Sequence, residues 1–174
     1  DISYPPITTS PNSPNIWLAN FDSLGNKIWD KRYLGLLDSY ITSKSLDSGK
    51  FLIATHGISG YDMTDSNKVT GKPNIWIVKI DSVGNKEWDS RFGGNKPDYL
   101  ISVQQANDGG YVLAGYSDSG ISGDRTQINW DSSGYTADYW IVKTDSLGNK
   151  VWDKRFGGTS IDEAFSLLLT ADGG

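Results

Sequence analysis

The segment 118–137 gathers residue types able to recognise a ligand: Trp130 stands there with Arg125, Asp131 and Tyr135. An aromatic ring flanked by acidic, amide and guanidinium groups suits a sugar or a peptide, because the ring stacks while its neighbours hydrogen-bond. These four residues are the expected ligand-binding set, with a protein or glycan as partner. The same segment carries Asp118, Asp124 and Asp131, weak candidates for calcium, which takes several oxygen ligands. Their spacing departs from the Asp-x-Asp-x-Asp-Gly loop and no glutamate closes it, so no metal is assigned and calcium stays an open cofactor. A second segment, 57–73, holds Tyr61, Asp62, Asp65 and Asn67 just after His56. A lone histidine with no nucleophile beside it reads as a packed or solvated residue.

Residue types exclude much catalysis. The chain of 174 residues has no cysteine and one histidine, which removes thiolate chemistry, Cys-ligated zinc and multi-His metal sites. No Gly-x-Ser-x-Gly elbow, phosphate loop or dinucleotide fingerprint occurs. No catalytic residue is assigned. The rival reading is a carbohydrate-active hydrolase using loop aspartates, since a glycosidase needs two facing carboxyl groups; a purely structural spacer is the third. The net charge is −5 with Lys and Arg scattered, so nothing recruits nucleic acid. No apolar run approaches the roughly 20 residues that cross a bilayer, so membrane insertion is not expected. Asp1 and its neighbours show none of the charged and apolar regions of a signal peptide, as expected of a processed form of a longer chain.

The elements that must hold these residues come as repeats. Asn74-Ile75-Trp76-Ile77-Val78-Lys79 matches Asn15-Ile16-Trp17-Leu18-Ala19-Asn20 and Asp138-Tyr139-Trp140-Ile141-Val142-Lys143. Trp17, Trp76 and Trp140 recur at intervals of 59 and 64 residues, and Trp29, Trp88 and Trp152 recur at the same intervals. Six of the seven tryptophans are therefore structural repeat positions, expected to wedge neighbouring units apart. One repeat domain spans 1–174: an N-terminal strand or linker at 1–14, repeats at 15–73 and 74–137, and an incomplete repeat at 138–174.

Within the second repeat the pattern predicts strands at 74–80, 86–92, 99–106 and 111–117. The first is a near-continuous apolar run, and Asp81, Gly84 and Asn85 supply a hairpin cap and backbone that accepts positive φ. All acids but Glu87 and Glu163 are Asp, and the 20 glycines add to the turn signal, so long helices are not expected. Each repeat is expected to fold as one four-stranded antiparallel meander, with the long segments 57–73 and 118–137 joining its fourth strand to the next unit. Asp30 with Arg32, Asp89 with Arg91 and Asp153 with Arg155 lie two apart on a strand, so each couple shares a face, where its members are expected to form structural ion pairs with each other or across units.

Units of this size cannot bury their own apolar faces and must stack, which is how a β-propeller is built. The residues resemble the tryptophan-rich propeller repeats common in secreted and surface proteins of the type IX secretion pathway. The shared pattern is Asp-Tyr-Trp-Ile-Val-Lys-x-Asp-x-x-Gly-x-x-x-Trp-Asp-Lys-x-Phe-Gly-Gly with a later Asp-Gly-Gly-Tyr. Residues 138–158 match almost throughout, whereas the first copy departs at Asn15, Ala19, Tyr33 and Leu36. The resemblance implies an all-β fold, a propeller segment of four-stranded antiparallel blades, about three in this chain. It also implies an extracellular or cell-surface location, usually without a described activity; a non-catalytic binding or scaffolding module within a larger protein is the expected role. Propellers close with roughly four to eight blades, so further blades from the same or another chain are the expected partners.

Overall fold

The computed structural model describes residues 15–34, 41–58, 64, 71–131, 136–163 and 165–170, with the side chains of Asn15 and Leu34 excepted. The expected N-terminal strand or linker at 1–14 lies outside them, as do Tyr61, Asp62, Asp65, Asn67 and Tyr135. The fold is all-β. Ten strands follow in order: β1 (Asn15–Phe21), β2 (Lys27–Leu34), β3 (Ile41–Ser45), β4 (Phe51–Gly57), β5 (Asn74–Ile80), β6 (Lys86–Phe92), β7 (Asp98–Gln105), β8 (Tyr111–Ser117), β9 (Asp138–Thr144) and β10 (Lys150–Phe156). One 3-10 turn, Asp47–Gly49, is the only helical element among the described residues, and no helix there is long and apolar enough to cross a membrane.

The strands form three antiparallel sheets: β1-β2, β3-β4-β5-β6 and β7-β8-β9-β10. The four expected strands of the second repeat are all present, but they do not make one sheet. β5 and β6 pair with β3 and β4 of the preceding repeat, and β7 and β8 pair with β9 and β10 of the following one. The reason is burial. β4 and β5 are apolar and buried along nearly their whole length and take the middle of their sheet, while the polar β3 and the mixed β6 take its edges. The long segments are corrected accordingly: 57–73 and 118–137 join the second and third strands of one sheet, hanging from the end where Gly57 faces Asn74 and Ser117 faces Asp138.

The hairpins form as their residues dictate. Asp22, Asp81 and Asp145 each accept backbone N–H bonds at 2.8–3.0 Å from the residues two and four further on, and Asn26, Asn85 and Asn149 donate side-chain bonds to the same carboxylates. These bonds hold the three carboxyl groups below their ordinary range. Gly25, Gly84 and Gly148 close the turns at φ of +84°, +84° and +82°, which other residues adopt only under strain.

A second repeated device ties the strands of each hairpin together. The indole N–H groups of Trp17, Trp76 and Trp140 donate across the hairpin to Asp30, Asp89 and Asp153 at 3.2, 2.9 and 3.1 Å. Those acids pair with Lys27, Lys86 and Lys150, three residues earlier, at 2.9–3.1 Å. Of the arginines two residues further on, Arg155 lies 3.5 Å from Asp138 of the neighbouring strand. A bulge in each hairpin, where Ile80 faces Lys86 but Lys79 faces Trp88, and Thr144 faces Lys150 but Lys143 faces Trp152, breaks the period of two and turns the lysine to the acid's face.

The main core lies between the two four-stranded sheets, where Leu52, Ile75, Ile77 and Phe92 meet Leu100, Leu113, Trp140 and Val142. Its rim is pinned by His56, buried, whose Nδ1 accepts the Leu100 backbone N–H at 3.1 Å and whose ring stands edge-on to Tyr99.

Candidate functional site

The loop carrying Trp130 is bonded to the connection 93–96, between β6 and β7, and to β10. Asp124 N–H donates to the Gly93 carbonyl at 2.9 Å, and the hydroxyls of Ser122 and Ser119 accept the Asn95 and Lys96 backbone N–H groups at 3.0 Å each. Thr126 donates its backbone N–H and hydroxyl to Asp153 at 3.0 and 2.9 Å, and Gln127 accepts the Arg155 backbone N–H at 2.7 Å. The loop is thus a fixed platform on one end of the β7–β10 sheet. Thr64 in the first long segment plays the part of Thr126, donating its N–H to Asp89 at 2.8 Å and its hydroxyl to the same carboxylate. Sequence reasoning missed these threonines; the available signal was a Thr 12 and 14 residues before Trp76 and Trp140.

Trp130 is 60% exposed. Its backbone N–H donates to the fully buried Asp138 at 2.8 Å, and the Arg155 guanidinium lies 4.7 Å from its ring centre. Arg155 is itself held 3.5 Å from Asp138. One acid therefore positions both the backbone of the tryptophan and the cation against its ring. A cation against one side of an indole is worth about 0.5–1 kcal/mol at an exposed site and orients the ring. Ile121 and Ile128 on the same loop are also exposed.

The expected ligand-binding set is only partly brought together. Asp131 follows Trp130 on the surface and accepts a hydroxyl bond from Thr136 at 3.1 Å. Tyr135 lies outside the described residues. Arg125 is 2% exposed; its guanidinium sits 5.6 Å from the ring centre of Trp140, donates to the Asn129 side chain, and loses basicity by burial. It supports the loop from beneath. The cation beside Trp130 is Arg155, a repeat position expected to serve structural ion pairs only.

The calcium candidates do not converge. Among the described residues no three His, Cys, Asp or Glu side chains are grouped to hold a metal ion. Asp124 accepts the Gly93 backbone N–H at 3.1 Å, Asp131 faces Thr136, and burial raises the Asp118 carboxyl above its ordinary range.

Compared with models of known protein families, the chain matches none. It is similar to the regulatory protein FlaEY of Caulobacter vibrioides, with 26% identity over 154 residues. That stretch covers 86% of this chain and 16% of the relative, so the chain spans a minor part of the relative's length.

Proposed function

We propose that the chain is a non-catalytic binding or scaffolding module, a segment of a β-propeller whose blades are the four-stranded sheets, displaying the Trp130 surface to a glycan or a peptide. The observation that carries the binding role is an indole 60% exposed yet oriented by its surroundings, with Arg155 at 4.7 Å and the loop bonded to β10 and to the 93–96 connection. A soluble protein has little reason to fix a large apolar ring in water unless something covers it, and a ring already oriented loses little entropy on binding. Asp131, the next residue in the chain, is the polar group proposed to meet hydroxyls or amides of the ligand. The propeller reading is supported by repeated sheets with repeated wedge tryptophans between them. Placement outside the cell, on a secreted or surface protein of the type IX secretion pathway, is supported by the resemblance of residues 138–158 to those repeats. Similarity to a small part of a much longer regulatory protein agrees with a module inside a larger chain.

The test is a panel of immobilised glycans and peptides probed with wild type and Trp130→Ala. At least one class is expected to bind wild type and to lose affinity by at least about tenfold in the variant, as for a central aromatic anchor, while the folding stability of Trp130→Ala drops by no more than about 1 kcal/mol. Binding that survives Trp130→Ala unchanged would refute the site. No binding at all would leave the structural-spacer reading, and hydrolysis of any glycan by the purified chain would replace this proposal by the hydrolase.

A further inference from the structure

The connection 93–97 and the loop that carries Trp130 meet over a cluster of polar side chains. Asp98, Ser117 and Ser119 are each fully buried there. Asp98 Oδ1 accepts the Ser117 hydroxyl, and its Oδ2 accepts the Gly94 backbone N–H at 2.8 Å. Ser117 Oγ in turn accepts the Ser119 backbone N–H at 3.1 Å. Two glycines let the connection close over these groups. A Cβ on Gly93 would fall 2.8 Å from Asp98 Oδ2, and one on Gly94 would fall 2.6 Å from Ser119 Oγ.

Ser119 has one hydrogen and two acceptors for it. Its oxygen accepts the Lys96 backbone N–H at 3.0 Å, while its hydroxyl can donate to the Lys96 carbonyl at 3.1 Å or to Asp98 Oδ2 at 3.4 Å. A hydroxyl donates once and accepts twice. With a proton on Asp98 Oδ2 every group is satisfied together, because the acid donates to Ser119 and Ser119 donates to the Lys96 carbonyl. Without that proton the carboxylate only accepts. Hydrogen bonds to an ionised acceptor are roughly twice as strong as neutral ones, so the Ser119 hydrogen turns to the acid and the Lys96 carbonyl loses it.

We infer that the Asp98 proton is a latch on the Trp130 loop: the protonated acid leaves Ser119 bonded to the 93–97 connection through both its oxygen and its hydrogen, and the ionised acid takes the hydrogen away. Burial pushes the carboxyl up to about 6, against the Ser117, Gly94 and Ser119 bonds and the charge of Arg125. The folded value lies above the unfolded 3.8, so the latch is closed at low pH and opens as pH rises through about 6. Thr126 and Gln127 keep their bonds to β10 in either state, so the loop loosens on its 119–124 side without detaching. The other charged groups around the cluster are Asp118, raised by burial against the charge of Lys96, and Asp124, which accepts the Gly93 backbone N–H at 3.1 Å. His56 of β4 accepts the Leu100 backbone N–H, and Arg91 of β6 donates to the Gly57 carbonyl at 3.1 Å. Asp138, Asp153 and Arg155 act on Arg125. The latch goes beyond the binding role of Trp130 and is read without a ligand.

The experiment is amide hydrogen exchange followed by nuclear magnetic resonance at about pH 5 and about pH 7, expressed as protection factors, which remove the intrinsic effect of pH on exchange. The Lys96 and Asp124 amides, bonded to Ser119 and to the Gly93 carbonyl, report on the latch. In wild type they are expected to lose protection about five- to tenfold at the higher pH, the scale of one hydrogen bond, relative to the amides of β8. Asp98→Asn carries no titrating group and is expected to show the same protection at both pH values. Ser119→Ala removes the shared hydrogen and is expected to abolish the difference as well, so either variant decides alone if the other does not fold. No difference in wild type, a difference shared equally by β8, or one that persists in either variant would overturn the latch. A difference that disappears in His56→Gln and not in Asp98→Asn would assign the titration to the histidine and overturn it too.

Discussion

Trp140→Ala is expected to cost about 3–5 kcal/mol of folding stability, the range for removing a buried aromatic ring. The ring is fully buried among Leu100, Tyr111, Leu113 and Val142 in the core between the two large sheets. Three losses coincide. The ring volume becomes a cavity, Asp153 loses the indole donor at 3.1 Å, and the buried Arg125 guanidinium loses the ring beneath it at 5.6 Å. Since small domains hold about 5–15 kcal/mol in total, the variant is expected to be marginal. Urea denaturation followed by circular dichroism measures the loss. Trp140→Phe keeps most of the volume and is expected to lose about 1–2 kcal/mol, the share of the hydrogen bond. The repeat provides a control: Trp17 occupies the same position but is 50% exposed, so Trp17→Ala is expected to cost well under half as much. Equal costs at both positions would mean that the sheets are not stacked as described.

Asp98→Asn is expected to change the pH dependence of stability. Asp98 is fully buried beside Ser117, accepts the Gly94 backbone N–H at 2.8 Å, and faces the charge of Arg125, yet burial dominates and pushes its carboxyl up to about 6. A folded value above the unfolded 3.8 means that the native state holds the proton longer. The stability from this group is full below the unfolded value and is lost as pH rises through about 6. A shift of roughly two units corresponds to about 3 kcal/mol. Asparagine stays neutral throughout, so the variant's stability relative to wild type should rise by about that amount between pH 4 and pH 7. Taking the difference cancels the opposite slope of Asp22, Asp81, Asp89, Asp108, Asp145 and Asp153, whose carboxyl groups are held low and whose contributions fade as pH falls. A difference independent of pH would show that Asp98 is not buried as an acid.

Local devices were legible in the sequence because their partners are close in the chain. The Asp81 hairpin is complete within five residues, and the run from Asn74 to Ile80 announces a strand covered on both faces. What the sequence did not disclose was where one sheet ends and the next begins. In a periodic chain the same strands can be grouped in more than one phase, and the short connection at 93–97 resembles a hairpin while the longer 57–73 resembles a link between units. Burial decides otherwise, since β4 and β5, the two most buried strands of their sheet, must be neighbours at its centre.

The site shows the same division. Trp130 stands out because repetition explains every other tryptophan, and it is the most exposed tryptophan among the described residues. Arg125, five residues away in the chain, was grouped with it but turns under the loop onto Trp140. Arg155 reaches the ring from 25 residues away, across a strand pairing that no local pattern reveals. Side chains separated by a loop closure are invisible to spacing arguments, and this is where the expected set and the observed one part.

The central claim is that one tryptophan serves a ligand while the repeated ones serve the fold. The most direct measurement is a heteronuclear spectrum of the seven indole N–H groups recorded during titration with the glycans and peptides of the panel. The account predicts that the Trp130 resonance, assigned by its absence in Trp130→Ala, moves saturably with at least one ligand while those of Trp76, Trp88 and Trp140 stay fixed. Saturable movement of the repeat tryptophans with Trp130 unmoved would contradict it.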